Sequence, residues 1–454
     1  MSAATIAAIS TPRGTGGIAI IRISGEDAFR ITRKIFRPRN TKPKSGYSGA
    51  LGDIVDGGIV IDEAVVFIYR APKSYTGEDV AELSIHGGMW VAQKVLRLCY
   101  QSGAVPAQPG EFTKRAFLNG RMDLSQAEAV MDTIAAQNDA ALAVAGYARE
   151  GAVAAAVREI SGRLLNESTH IAAWSDYPEE DLEPVDEQRL IEALRETAKL
   201  AGLLIATYDQ GKILREGISA AIAGKPNVGK STLMNLLSGH ERSIVTQIPG
   251  TTRDIICESV RLGDIILHLH DTAGLRDTAD PVERIGVERT REQLGRSQLI
   301  LAVFDNAAPL DAEDRGLLEY VADKPCIAVV NKADLPRLIQ TDEISKTIPR
   351  VVNMSAKNGD GCEELARAVT EAVGMNSFKP DTGAAIIANE RQYRHLCAAK
   401  EAVGQAIEAL ERGMTLDAAA VCIDEAHGEL LALTGERVSD VVVDEIFSRF
   451  CVGK

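Results

Sequence analysis

Aromatic side chains are scarce, with nine Phe, nine Tyr and two Trp in 454 residues, too few for a groove that stacks the bases of a single strand. Cysteine is sparse and scattered. Cys99, Cys257, Cys326, Cys362, Cys397, Cys422 and Cys451 stand singly, and no C-x-x-C pair marks a zinc site or redox couple. Such thiols suit a reducing cytosol. No stretch approaches the ~20 apolar residues of a membrane span, and the opening MSAATIAAISTPRGTGG lacks the basic and apolar regions of a secretory leader. A cytoplasmic protein with no membrane contact is expected. Net positive charge is missing too: 50 Lys and Arg against 64 Asp and Glu give −14, which excludes holding nucleic acid by overall charge. The charge is segregated, however. Residues 1–121 carry sixteen basic and ten acidic side chains, +6, and the remainder thirty-four against fifty-four, −20.

Otherwise the composition is that of a folded protein, 45% hydrophobic and 25% charged, and at ~150 residues per domain the length suggests about three domains. Ile18–Ile23 is a β-branched run bounded by glycines, with a helix expected from Glu26. Strand-like Ala64–Tyr69 and Val80–Ile85 and helix-like Trp90–Tyr100 complete an α+β pattern over the first 120 residues. From Asp123 to Leu214 the sequence is Ala-rich and helical, broken mainly by the acidic DYPEEDLEP at 176–184, a solvated helix start or a partner site. Between Gly217 and Met375 the apolar runs ISAAIAG, IILHLHD, LILAVFD and CIAVVNK alternate with helical stretches, the pattern of a parallel sheet wrapped by helices. Ala388–Phe450 is helical again, with breaks at Gly413 and Thr434-Gly435. Similar texture on both sides implies an α/β block inserted into one helical domain.

The segment GKPNVGKS at 224–231 fits G-x-x-x-x-G-K-[ST] between a strand and a helix. Gly224 and Gly229 let backbone N–H groups turn toward phosphate oxygens, Lys230 offsets phosphate charge, and the Ser231 hydroxyl can reach Mg²⁺. Downstream, in register, come DTAG at 271–274, NKAD at 331–334 and SAK at 355–357. Asp271 can hold Mg²⁺ through water, and the Gly274 N–H can sense a γ-phosphate. Asp334 can accept from the N1–H and exocyclic amine of guanine, donors that adenine lacks, so the expected nucleotide is GTP. The expected contacts are Asn227, Val228, Gly229, Lys230, Ser231 and Thr232; Thr246, Gln247, Ile248, Pro249, Gly250, Thr251 and Thr252; Asp271, Thr272, Ala273 and Gly274; Asn331, Lys332, Ala333 and Asp334; and Ser355, Ala356 and Lys357. In GTTRD, a threonine, Thr252, can complete the Mg²⁺ shell while the γ-phosphate is present, which makes the segment a switch candidate. The residue after DTAG is Leu275, which cannot orient water, and Glu283 is the nearest carboxylate on the following loop. By spacing alone Glu283 is either the water-orienting group or a solvated surface charge.

Together GKPNVGKS, IPGTTRD, DTAGLRDTADPVERIG, PGEFTKRAFLNGRMDL and the final FCVGK resemble the MnmE (TrmE) family of bacterial tRNA modification GTPases along the whole chain. The resemblance implies a multidomain α+β and α/β fold: an N-terminal folate-binding and dimerisation domain (1–120), a helical domain in two segments (121–216 and 378–454) and an inserted Ras-like P-loop GTPase domain (217–377). It implies a homodimer that joins the flavoprotein MnmG in a heterotetramer. Together they would add an aminomethyl-type (carboxymethylaminomethyl) group at position 5 of the wobble uridine of certain tRNAs. The one-carbon unit would come from a tetrahydrofolate derivative, 5-formyl- or 5,10-methylene-tetrahydrofolate. Asn227, Thr246, Ile248 and Thr251 match the family's K⁺ ligands, and Glu283 its water-positioning glutamate. Its folate positions fall on Arg22, Glu82, Arg121 and Lys454, with Arg121 where Lys is usual. Cys451 matches its functionally required cysteine. Val452 stands where Ile or Leu is commoner. A ribosome-assembly or RNA-binding switch GTPase explains the nucleotide motifs but leaves PGEFTKRAFLNG and FCVGK without a task, and K⁺-dependent hydrolysis faster than typical small-GTPase turnover would count against a nucleotide-gated scaffold.

Overall fold

The computed structural model describes residues 4–12, 14–39, 48–176, 184–240, 257–270, 295–375 and 383–454. The chain divides into two compact units: one of residues 1–131, 154–195 and 401–454, the other of residues 132–153 and 196–400.

The first unit is built on a seven-stranded sheet. Its strands are β1 (Ile6–Ile9), β2 (Ile18–Ser24), β3 (Phe36–Pro38), β4 (Ser48–Asp56), β5 (Ile59–Tyr69), β6 (Val80–His86) and β7 (Val105–Pro106), in the order β3-β4-β5-β6-β2-β1-β7. The period of two along β2 sorts its side chains. Ala19, Ile21 and Ile23 join Ala81, Leu83, Ile85, Ala64 and Val66 in a core covered by helices Ala28–Ile35 and Met89–Gln101. Each fully buried Ile or Leu contributes ~1.5–3 kcal/mol of transfer free energy. On the other face β2 presents Arg22, with Glu82 directly opposite on β6. There Ile6 and Ala8 pack with Ala107 and Phe112. The helix expected from Glu26 begins at Ala28.

Helix Glu111–Leu118 anchors the chain's last residues. Gly110 N–H donates to Cys451 O (3.3 Å) and Phe112 N–H to Lys454 O (3.2 Å). Phe447, in helix Asp440–Ser448, and Phe450, just past it, bury against Leu124, Ala127 and Val443. Two glycines permit the approach. At Gly110 (φ +66°) a Cβ would lie 2.5 Å from Phe447 O, and at Gly453 (φ +97°) 2.4 Å from Ile9 O.

The second unit holds a six-stranded sheet of β8 (Ile218–Ala223), β9 (Cys257–Leu262), β10 (Ile265–His270), β11 (Leu299–Asp305), β12 (Cys326–Asn331) and β13 (Val351–Asn353), ordered β13-β12-β11-β8-β10-β9. The four runs expected to form a parallel sheet, β8, β10, β11 and β12, do so, with β13 parallel as well, and β9 adds an antiparallel edge beside β10. The cause is the Gly263-Asp264 turn, with Gly263 at φ +63°, which allows a hairpin and no crossover. The α/β core takes in residues outside 217–377: Ala141, Val144, Leu214 and Ile386. Asn138 caps helix Asp139–Arg149 through Ala141 N–H (2.6 Å) and donates to Asp264 O (3.0 Å). The helices Glu390–Glu411, Leu416–Thr434 and Asp440–Ser448 break at Gly413 and Gly435 as expected. Among the described residues no single helix is long and apolar enough to cross a membrane.

Gly110→Ala should destabilise the first unit by about 1–3 kcal/mol, since the obstructing atom is backbone and the φ is left-handed. Thermal denaturation checks this, and an unchanged melting temperature would contradict the tail's docking.

Candidate functional site

The end of β8 leads through Gly224–Gly229 into helix Lys230–His240. The loop cannot be built without its glycines: a Cβ at Gly224 (φ +153°) would sit 2.5 Å from Val303 O, and one at Gly229 (φ +98°) 2.2 Å from Asn331 Nδ2. Asn227 takes φ +64°, rare for a residue with a side chain. Lys230 Nζ donates to Gly224 O (2.7 Å) and Lys225 O (2.8 Å), so its ammonium lies inside the curl of the loop.

NKAD and SAK are tied to this loop by one amide. Asn331, 2% exposed at the end of β12, donates from Nδ2 to Val228 O (2.9 Å) and accepts Ala356 N–H at Oδ1 (2.9 Å). Ser355 Oγ donates to Asp334 Oδ1 (2.7 Å). That hydroxyl, the Asp334 backbone N–H and the charges of Lys357 and Lys332 hold the Asp334 carboxyl below the usual range, so it is an ionised acceptor. Lys332, at φ +64°, pairs with Asp305 (2.6 Å), and Ala333 N–H donates to Met354 O (3.0 Å). Three of the five expected segments thus converge on one edge of the sheet. The other two, Thr246, Gln247, Ile248, Pro249, Gly250, Thr251 and Thr252, and Asp271, Thr272, Ala273 and Gly274, fall outside the described residues, as does Glu283.

Sequence reasoning missed Lys225. Its ammonium bonds Asp311 Oδ2 (2.6 Å) and Asp314 Oδ2 (2.7 Å), the two acids of a capping box on helix Ala312–Val321. This fixes the residue whose carbonyl holds Lys230, and the Lys225 hydrogen bond, with the Asp314 N–H, lowers the Asp311 carboxyl to about 2. The D-x-x-D spacing ahead of a helical run was the readable signal.

In the first unit Arg22 and Glu82 form a two-pronged ion pair (Nε and Nη2 to Oε1, both 2.8 Å), and Tyr69 OH donates to Glu82 Oε2 (3.3 Å). The Arg22 guanidinium lies 5.2 Å from the Tyr75 ring centroid and 5.6 Å from that of Phe112, and its Nη1 donates to Gly453 O (3.5 Å). Lys454 closes the cluster. Burial, then the Arg22 charge, pull its ammonium below the usual lysine range, with Glu82 opposing. Arg121 is exposed beside Gly77, whose Cβ would lie 3.4 Å from Arg121 Cγ, and no ion pair or hydrogen bond joins it to the other three among the described residues. Cys451 is exposed, and its carbonyl accepts from Gly110 and Lys454 N–H. Tyr69, Tyr75 and Phe112 carried no sequence signal, because only the folded sheet brings them to Arg22.

A family model for the GTP-binding protein TrmE N-terminus matches residues 5–121, and one for the MnmE helical domain matches residues 124–451. The chain is 42% identical over 453 residues to the tRNA modification GTPase MnmE of Geobacter sulfurreducens, with 99% of both chains covered. It is 42% identical over 457 residues to that of Oceanobacillus iheyensis and 41% over 458 residues to that of Carboxydothermus hydrogenoformans, again with 99% of each chain covered. With its nucleotide loop, guanine-type acceptor and full-length similarity, the chain belongs to the MnmE family of tRNA modification GTPases, enzymes that hydrolyse GTP in tRNA modification.

Proposed function

We propose that this GTPase is K⁺-dependent and, as a homodimer joined to the flavoprotein MnmG in a heterotetramer, adds a carboxymethylaminomethyl-type group at position 5 of the wobble uridine of tRNA in the cytoplasm. The proposed division is 1–120 for folate binding and dimerisation, 121–216 and 378–454 for the helical domain, and 217–377 for the GTPase domain. The observation that carries the one-carbon reading is the Arg22–Glu82–Lys454 cluster between aromatic rings. Two cations and one carboxylate fit a tetrahydrofolate derivative: Glu82 can accept from the amino edge of a pterin, and Arg22 and Lys454 can meet carboxylates of its tail. When bound, that group supplies the one-carbon unit. Arg121 supplies a further positive charge at the rim, and Cys451, on the same tail as Lys454, is held at the cluster's edge by the Gly110 and Phe112 hydrogen bonds.

In the GTPase unit Asp334 accepts from guanine, and Lys230, with the N–H groups of the loop 227–232, holds the phosphates. Ser231 and Thr252 would ligate Mg²⁺, which neutralises charge between the phosphates. Asn227, Thr246, Ile248 and Thr251 would hold K⁺, whose charge does the work that an arginine finger does elsewhere, there worth ~10³ to 10⁵ in rate. Glu283 orients the attacking water. A ribosome-assembly switch would need the same nucleotide residues but not the half-buried cluster around Arg22.

Titrated with 5-formyl-tetrahydrofolate, the protein should bind it, and Arg22→Ala should weaken binding at least tenfold, the effect of about 1.4 kcal/mol. Failure of the wild type to bind would contradict the folate assignment. Replacing K⁺ by Na⁺ should slow GTP turnover at least tenfold in steady-state assays; equal rates would remove Asn227 from its role.

A further inference from the structure

The helix layer of the first unit carries charge that neither proposed site uses. In Ala28–Ile35 the inward residues Ala28, Phe29, Ile31, Thr32 and Ile35 are buried, and all three outward positions are basic: Arg30, Arg33 and Lys34. Met89–Gln101 adds Lys94 and Arg97, and neither helix contains an acidic residue. The two helices adjoin, since Lys34 Nζ donates to Ser102 O just past the end of the second (3.3 Å). Arg30 is paired with Asp27 (2.6 Å) and Lys94 with Asp56 (2.5 Å). Arg33, Lys34 and Arg97 have no ion-pair partner among the described residues. At the rim the Arg70 guanidinium lies over Phe29 (5.1 Å), and Trp90, in the first turn of the second helix, is 74% exposed.

Folding does not account for this pattern. Exposed charges contribute little to stability, and like charges on neighbouring turns repel, so a face that leaves Arg33, Lys34 and Arg97 without a carboxylate partner among the described residues is a cost in the free protein. In a chain of net charge −14 the face is also contrary to the overall sign. A polyanion removes the repulsion and releases counterions on binding. An exposed indole beside the cations adds a stacking platform for an unpaired base. We propose that the outward face of helices Ala28–Ile35 and Met89–Gln101 is the docking surface for the sugar-phosphate backbone of tRNA, with Arg33, Lys34 and Arg97 contacting phosphates. The assignment rests on the tRNA-directed activity of the family. Such contacts position the RNA without reading its sequence, so their loss weakens all tRNAs alike.

The test is anisotropy titration of the full chain with an unmodified tRNA transcript over a range of salt concentrations. Arg33→Gln/Lys34→Gln/Arg97→Gln should weaken binding at least tenfold near 0.1 M salt and reduce the slope of log K against log salt by about three, one per lost contact. Melting temperature and GTP turnover without tRNA should be unchanged. Arg33→Lys/Arg97→Lys should keep the wild-type slope. If the triple variant melts early, Arg33→Gln/Arg97→Gln should still reduce the slope by about two. Wild-type affinity and slope in the folded variants would overturn the proposal. So would loss of flavoprotein association with tRNA binding intact, which assigns the face to a protein partner. A wild type that binds no tRNA at any salt would overturn the tRNA-directed reading and this surface together.

Discussion

Between the loop at 224–231 and the segment at 355–357 runs one buried amide, that of Asn331, which donates to the carbonyl of Val228 and accepts the N–H of Ala356. Both bonds are about 2.9 Å and shielded from water, so each group left unpaired would carry a desolvation penalty of about 1–3 kcal/mol. No shorter side chain spans the gap. The glycine at 229 exists for the same reason, because any Cβ there would occupy the space of the Asn331 amide. The loop proposed to hold phosphates and the segments proposed to read the base are therefore tied into one frame, and on the loop's other flank Lys225 ties it to Asp311 and Asp314.

The first unit rests on an analogous tie of backbone to backbone. Residues near 110 and near 453, more than three hundred positions apart, meet through Gly110, Phe112, Cys451 and Lys454. Glycine at both close approaches lets the tail lie against β1 and the helix start. Arg22 then finds an ion-pair partner on β6, two aromatic walls, and a carbonyl from the tail. The motif PGEFTKRAFLNG gains a physical meaning from this. Arg115 pairs with both Glu111 and Glu78, Thr113 meets the Tyr75 hydroxyl, Lys114 pairs with Asp444, and Phe112 lies against Arg22.

Strands β8, β10, β11 and β12 were legible because they are largely buried and read as mainly apolar runs. β9 was not, since CESVRL mixes polar and apolar residues at a sheet edge, and β4, with two glycines in SGALGDIVD, hides its period. Two-residue β7 carries no pattern at all. Among site residues, Arg22 stood out as a charge inside an apolar strand, and Asp334 and Lys230 through their motifs. Tyr75, Phe112 and Lys225 did not, because an aromatic or a lysine looks the same in the sequence whether it faces solvent or a buried partner. The tail's return to residue 112 depends on backbone torsions at two glycines, which no side-chain pattern encodes.

GTP hydrolysis at the Asn331 frame is proposed to drive chemistry on a tRNA uridine. Its most direct test is nucleoside analysis of tRNA from cells that lack this protein, complemented with the wild type or with Lys230→Ala. The account expects the 5-substituted wobble uridine to vanish in the deletion and to return with the wild type only. Unchanged modification in the deletion, or equal rescue by Lys230→Ala, would contradict it.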